Sequence, residues 1–201
     1  MDTWEALQQT PVPELRRRAE LIEKIDEFLH PSPAENGLFV WADGSGQTTA
    51  WQFSDDGYVL LLAYEHEGFL NVINDELDVQ RGFYRGVPDD LMSLILRDPA
   101  ATGFVYSADD DGTDVITASG VFWFDGVQWH VSEGLSAYCQ ENNVPIEESG
   151  LEYCTRTYLL GQEFNATSFY EHQVGLMDWM KEPERAELRR RIDAGFAAHG
   201  E

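Results

Sequence analysis

The chain has 201 residues, 43% of them hydrophobic, with 6 Trp, 8 Tyr and 11 Phe, which is enough apolar material for a packed core and excludes a disordered acidic tail. Its net charge of -24 argues against direct contact with nucleic acid or an anionic membrane, because binding to phosphates needs Lys and Arg to displace counterions. The charge is uneven: residues 26–152 hold 24 Asp and Glu against three Arg, while residues 1–25 and 156–201 carry about -1 and -2.

Residues 13–29 are expected to form the first helix. Pro13 suits an early helical position, where its missing N–H costs nothing. Leu15, Ala19, Ile22, Ile25 and Leu29 recur at helical spacing, and Arg16, Arg17, Arg18, Glu20, Glu23 and Lys24 mostly take the wet side. His30-Pro31-Ser32-Pro33 stops it, since a residue before proline disfavours the α conformation.

Three strands follow, at 38–42, 48–53 and 58–64, separated by the turn sequences Asp43-Gly44-Ser45-Gly46 and Ser54-Asp55-Asp56-Gly57. They read as an antiparallel meander. The third is apolar on both faces and is expected at the centre of a sheet, covered on both sides. Residues 65–86 read as a loop with a short element around Phe83-Tyr84. A short helix then starts at Pro88-Asp89-Asp90, turns Leu91, Leu94 and Ile95 inward, and stops at Asp98-Pro99.

A second β region is expected at 103–107, 114–118, 121–124 and 127–131. Asp125-Gly126 reads as a two-residue type I′ hairpin loop, which pairs Phe124 with Val127 and Phe122 with Trp129 and puts Trp123, Gln128 and His130 on the opposite face. Asn165 is expected to cap a helix reaching about Met180, with Phe169, Gln173, Leu176, Met177 and Met180 on one face. Pro183 opens a last helix striped by Leu188, Ile192 and Phe196, so the two make an αα-hairpin. The expected fold is α+β and mainly antiparallel, a meander plus the Asp-Gly hairpin, in a single domain over residues 1–201. The N-terminal helix (1–30) and a C-terminal helical hairpin (165–199) pack on a sheet region (37–131).

Candidate chemistry is sparse. Glu65-His66-Glu67 follows the central strand and could serve acid–base or metal chemistry with His130 nearby, but no spaced partner such as HExxH supports it, and a surface role outweighs it. Asp109-Asp110-Asp111-Gly112-Thr113-Asp114 looks like a calcium loop until counted: with Gly112 at the sixth position the twelfth is Ala118, which cannot supply the bidentate acid. No GxSxG elbow accompanies the histidines, and Gly44-Ser45-Gly46 is too short for a phosphate loop. His172 has no i+4 partner for a metal. Arg16-Arg17-Arg18 and Arg189-Arg190-Arg191 read as solvated helix faces before anion sites, with docking on the chain's own acidic middle as a further option. Cys139 and Cys154 lack metal-type spacing; two buried thiols are favoured over a disulfide. The N-terminus has no basic and apolar leader pattern, and the longest apolar run, 58–64, is far short of the ~20 residues that span a bilayer, so the chain reads as cytoplasmic and without a membrane segment. No cofactor is expected.

The run Phe53-Ser54-Asp55-Asp56-Gly57-Tyr58-Val59-Leu60-Leu61-Leu62-Ala63-Tyr64-Glu65-His66-Glu67, with the later Trp123-Phe124-Asp125-Gly126-Val127-Gln128-Trp129, resembles in style the small acidic proteins of bacterial toxin–immunity loci. That resemblance covers about residues 37–131, includes no diagnostic motif and transfers no site residue. It implies a cytoplasmic α+β inhibitor that binds and blocks a cognate toxin, often a nuclease.

The acidic middle supplies the expected contact surface for a basic protein partner: Asp55, Asp56, Glu65, Glu67, Asp75, Glu76, Asp78, Asp109, Asp110, Asp111 and Trp123. Carboxylates give steered association and aromatics give buried anchors. The rival readings are a solvated surface set by genome composition or a salty cytoplasm, a phage-type nucleic-acid mimic, and a metal-dependent enzyme centred on Glu65-His66-Glu67. Only Lys24 and Lys181 are lysines, which suits the compositional reading as well as a functional one.

Overall fold

A computed structural model describes residues 2–26, 36–72, 77–104, 106–108, 114–177 and 179–199. In chain order the elements are α1 (Thr3–Gln9), α2 (Val12–Asp26), β1 (Leu38–Ala42), β2 (Gln47–Phe53), β3 (Val59–Glu65), α3 (Leu77–Gly82), α4 (Asp89–Ile95), β4 (Tyr106–Ala108), β5 (Asp114–Ile116), β6 (Gly120–Phe124), β7 (Trp129–Val131), α5 (Glu133–Asn142), α6 (Leu151–Thr155), α7 (Ala166–Leu176) and α8 (Glu182–Ala198). The fold is α+β. The chain forms two compact units, residues 1–33 with 155–201, and residues 34–154. The second unit holds 22 Asp and Glu against three Arg, a net of -19, so the charge asymmetry of the sequence is the asymmetry between the two units.

The 34–154 unit is built on a five-stranded antiparallel sheet in the order β1-β2-β3-β6-β7. As its two-sided apolar pattern requires, β3 is central, and every side chain from Val59 to Tyr64 is buried. One face presents Ala50, Leu60, Leu62, Tyr64 and Val121 to Phe83, Leu91, Ile95, Leu135 and Cys139, the inward residues of α4, α5 and the turn after α3. The other face carries Trp51, Phe53, Leu61, Phe122 and Trp129, all buried, with Trp51 stacked on Phe53 and edge-on to Trp129. Ser132 caps α5 by accepting the Leu135 N–H at 3.3 Å and donates its own hydroxyl to the Phe83 carbonyl. Gly134 lets the first turn of α5 sit against the Gly82 carbonyl, where a Cβ would collide.

The Asp-Gly turn is shifted from the expected register. Phe124 pairs with Trp129, Trp123 with His130 and Phe122 with Val131, so Gly126-Val127 forms the loop. The cause is the Asp125 carboxylate, which accepts the Val127 and Gln128 N–H groups at 2.8 Å and fixes Asp125 as the residue before the bend. Gly126 then takes φ +93 at the first central position, a type II′ turn. A shift of two residues preserves facing, so Trp123 and His130 share a face as expected.

Other expectations also need correction. β4 and β5 form a separate two-stranded sheet. The element expected around Phe83 is helix α3, which ends one residue earlier. Helices α1, α5 and α6 were not foreseen, and α7 stops at Leu176, short of Met180.

In the unit of residues 1–33 and 155–201, Leu15, Ala19, Ile22 and Ile25 are buried as their spacing predicts. Asn165 caps α7 through the Thr167 and Ser168 N–H groups at 2.9 Å. Phe164, Phe169 and Phe196 meet with centroids 5.5–6.3 Å apart. Arg18 is not on the wet side: it is 7% exposed, lies 4.7 Å over the Phe164 ring and ion-pairs with Glu14. Arg191 donates to the Ile25 carbonyl at 2.8 Å, Arg189 pairs with Asp193 at 2.9 Å and Arg190 with Glu187. These contacts lie within the unit. Among the described residues no helix is long and apolar enough to cross a membrane.

Candidate functional site

The end of the sheet beyond β3 collects carboxylates and exposed aromatics from segments 80 residues apart in sequence. Glu65, half-buried, is the last residue of β3 and pairs with Gln47. His66 N–H donates to the Gly46 carbonyl at 3.0 Å, and the chain turns back with Gly68 N–H on the Glu65 carbonyl at 3.2 Å. Asn71 holds the turn by donating to the His66 carbonyl at 2.6 Å. Glu67 and His66 are exposed at its tip, and Phe69 is 78% exposed.

Ser119 brings the distant segment in. Its buried hydroxyl accepts the Glu65 N–H at 3.0 Å and donates to the Ser149 carbonyl at 2.8 Å. Gly150, at φ +78, leaves the space that Glu65 occupies: a Cβ there would lie 2.8 Å from the Glu65 Cβ. The Ile146–Ser149 turn and α6 therefore add Glu147, Glu148, Glu152 and Tyr153, the last 53% exposed. Cys154, which donates to the Tyr64 carbonyl at 3.2 Å, is pushed up to about 12 by burial and then by Glu65. Cys139 is raised by burial and then by Glu147. Both are free, buried thiols, the state favoured over a disulfide from the sequence.

The opposite end of the sheet carries the β2–β3 and β6–β7 turns side by side, since Val59 pairs with Phe124. Asp55 and Asp56 are exposed there, with Tyr58 partly exposed beside them and Val127 85% exposed. Asp125 is held down at about 2 by the Gln128 N–H, by His130, whose Nε2 lies 2.8 Å from Oδ2, and by the Val127 N–H. His130 stacks on Trp123 with centroids 4.5 Å apart.

The expected contact residues that are described therefore do not form one patch. Asp55 and Asp56 stand at one end of β3 and Glu65 and Glu67 at the other, about 20 Å away at ~3.3 Å per residue. Asp78 is exposed on α3 and pairs with Arg81 at 3.1 Å. Trp123 is half-buried, packed against the core and the His130 ring, and is no exposed anchor. Asp75, Glu76, Asp109, Asp110 and Asp111 lie outside the described residues, and the calcium-loop question lies there with them.

The Glu65-His66-Glu67 site with His130 is not assembled. His130 pairs with Trp123, which pairs with Leu60, five residues from Glu65 along β3, or about 16 Å. Among the described residues no group of three or more His, Cys, Asp and Glu is placed to hold a metal ion.

Sequence reasoning missed Phe69, Glu147, Glu148, Glu152 and Tyr153. Pro145 before the Glu pair and Gly150 after it mark an acidic turn, but nothing local says that this turn reaches β3. No family model matches the chain, and neither a curated protein nor a solved structure matches it.

Proposed function

We propose that the chain is a non-enzymatic binding protein of immunity type, which neutralises a basic toxin by covering its working surface. The observation that supports this reading is the β3 end of the 34–154 unit: five carboxylates (Glu65, Glu67, Glu147, Glu148, Glu152) interleaved with the exposed rings of Phe69 and Tyr153, on a unit of charge -19.

The two residue classes do different work. An exposed ion pair is worth about 0–1 kcal/mol, so the carboxylates mainly accelerate and orient encounter. Burying a Phe side chain is worth about 1.5–3 kcal/mol, one to two decades of affinity, so the rings set the lifetime of the complex. Carboxylates in this arrangement stand in for the phosphates that a nuclease-type toxin binds.

The test measures binding kinetics against toxins encoded beside this chain's gene. Phe69→Ala is expected to speed dissociation about tenfold. Glu67→Lys with Glu152→Lys is expected to slow association and abolish its dependence on salt across about 50–300 mM. Binding that ignores both the double substitution and salt would remove the electrostatic reading.

A further inference from the structure

Strand β7 is the outer strand of the sheet. Its backbone polarity follows from two hydrogen bonds: Asp125 N–H donates to the Gln128 carbonyl at 3.2 Å, and Ser132 N–H donates to the Val121 carbonyl at 3.0 Å. Antiparallel ladders alternate bonded and non-bonded pairs, so the bonded pairs are 125/128, 123/130 and 121/132. Trp129 and Val131 thus aim their N–H and C=O groups away from β6, on the outer side of the sheet. No hydrogen bond from another described residue takes up those four groups.

An open edge is a template for another strand, and proteins normally blunt one with lysine, proline, a bulge or a covering segment. β7 has the sequence Trp129-His130-Val131, with no lysine and no proline. Beside it lies a cleft of about 540 Å³, lined by Val131, by Ser136, Cys139 and Asn143 of α5 and its cap, and by Val144 and Ile146. Val131 thus belongs to both features: its backbone N–H and C=O face the outer side of the sheet, and the residue lines the cleft. Ile146 is followed directly by Glu147 and Glu148, and the Glu147 carboxylate already acts on the Cys139 thiol in the cleft wall. A chain leaving the cleft in that direction runs onto the carboxylates of the β3 end.

We infer that the β7 edge and its cleft bind an extended, basic segment of the partner protein, which adds as a sixth strand, seats an apolar side chain against Val131, Cys139, Val144 and Ile146, and lays lysine or arginine on Glu147 and Glu148. This deepens the binding-protein reading and rests on it for the partner's charge. Main-chain hydrogen bonds supply attachment, and the cleft supplies selectivity for one side chain in every two.

The test uses a blocked peptide of about ten residues alternating Lys and Val, the length of a long strand, with a Ser–Val peptide for comparison. Bound peptide is expected to slow hydrogen exchange at the Trp129 and Val131 amides at least tenfold, and the Ser–Val peptide to bind at least tenfold more weakly. Val131→Pro removes an N–H that points outward, so the β6 ladder is kept. It is expected to weaken the Lys–Val peptide about tenfold, whereas Val40→Pro, at an outward-facing position of the other edge strand, leaves it unchanged. Ser136→Trp fills the cleft without touching the edge and gives the same loss if the proline variant does not fold. A Lys–Val peptide that does not bind, or that binds with both amides unprotected or equally well to Val131→Pro and Ser136→Trp, overturns the strand site. If such binding is still abolished by Glu67→Lys with Glu152→Lys, the acidic-face reading stands alone. If it survives those as well, both readings fall.

Discussion

Arg18 Nη1 donates to the Tyr158 carbonyl at 2.7 Å, and also to that of Leu159 at 2.7 Å, bonding chain segments 140 residues apart. The guanidinium is buried, and its Nε carries the ion pair to Glu14, whose carboxyl is held below its usual range by Arg17, with Arg18 adding to the effect. One member of an arginine triplet is therefore a structural strut, while its neighbour Arg16 forms an exposed pair with Glu20.

Replacing Arg18 with Met strands two carbonyls and the Glu14 contact. Because hydrogen bonds to charged groups are worth about 1.5–3 kcal/mol each, the expected loss of stability is about 3–5 kcal/mol. Arg16→Ala should cost less than about 0.5 kcal/mol. Urea unfolding of the two variants measures the difference, and equal midpoints would refute the assignment.

Asp125 gives the β6–β7 turn an acid limb. Its folded value, about 2, lies below the ordinary carboxyl value of 3.8, so its contribution is complete above about pH 4 and is lost as pH falls through 2. NMR titration of this carboxyl should find its midpoint near 2. Asp125→Asn should remove that step from the stability–pH profile while leaving the neutral region flat, because an amide oxygen still accepts the Val127 and Gln128 N–H groups.

Two helical glycines should respond oppositely to alanine. At Gly134 a Cβ meets the Gly82 carbonyl, which is backbone and cannot swing aside, so Gly134→Ala should destabilise by about 2–4 kcal/mol. At Gly175, inside α7, nothing lies within 4 Å, and Gly175→Ala should stabilise by about 0.5–1 kcal/mol through lower unfolded-state entropy. Thermal or urea unfolding reads both signs directly.

Cys154 should resist alkylation in the native protein at pH 8, since its thiol is buried and held up to about 12. Iodoacetamide should label it only after unfolding. The linkage has a definite sign: the folded value is above the ordinary 9.0, so the contribution is intact below pH 9 and declines as pH rises from 9 to 12. Cys154→Ala should flatten that alkaline limb. Rapid native labelling of Cys154 would contradict its placement.

The meander was legible because its signals are local. Strand alternation and the glycine turns at 43–46 and 54–57 place β1, β2 and β3 within one residue of their observed bounds. The central position of β3 followed from a strand with no polar face. Helix α5 escaped notice although Ser132 stands at its cap, because Gly134 breaks a pattern whose purpose is contact with Gly82. The hairpin register escaped because Asp125 and Gly126 compete for the bend, and a side-chain carboxylate decides between two turn types with the same composition. Arg18 escaped because its partners are main-chain carbonyls 140 residues away.

By itself the sequence determined which stretch is acidic and which residues are apolar with which period; these properties are additive along a chain. Tertiary structure decided which carboxylates are neighbours. It sent Asp55 and Asp56 to one end of the sheet and Glu65 and Glu67 to the other, because a strand's length separates the turns at its ends. It joined Glu65 to Glu147, Glu148, Glu152 and Tyr153 through one serine hydroxyl and the missing side chain of Gly150, and a contact of that kind has no periodicity to announce it.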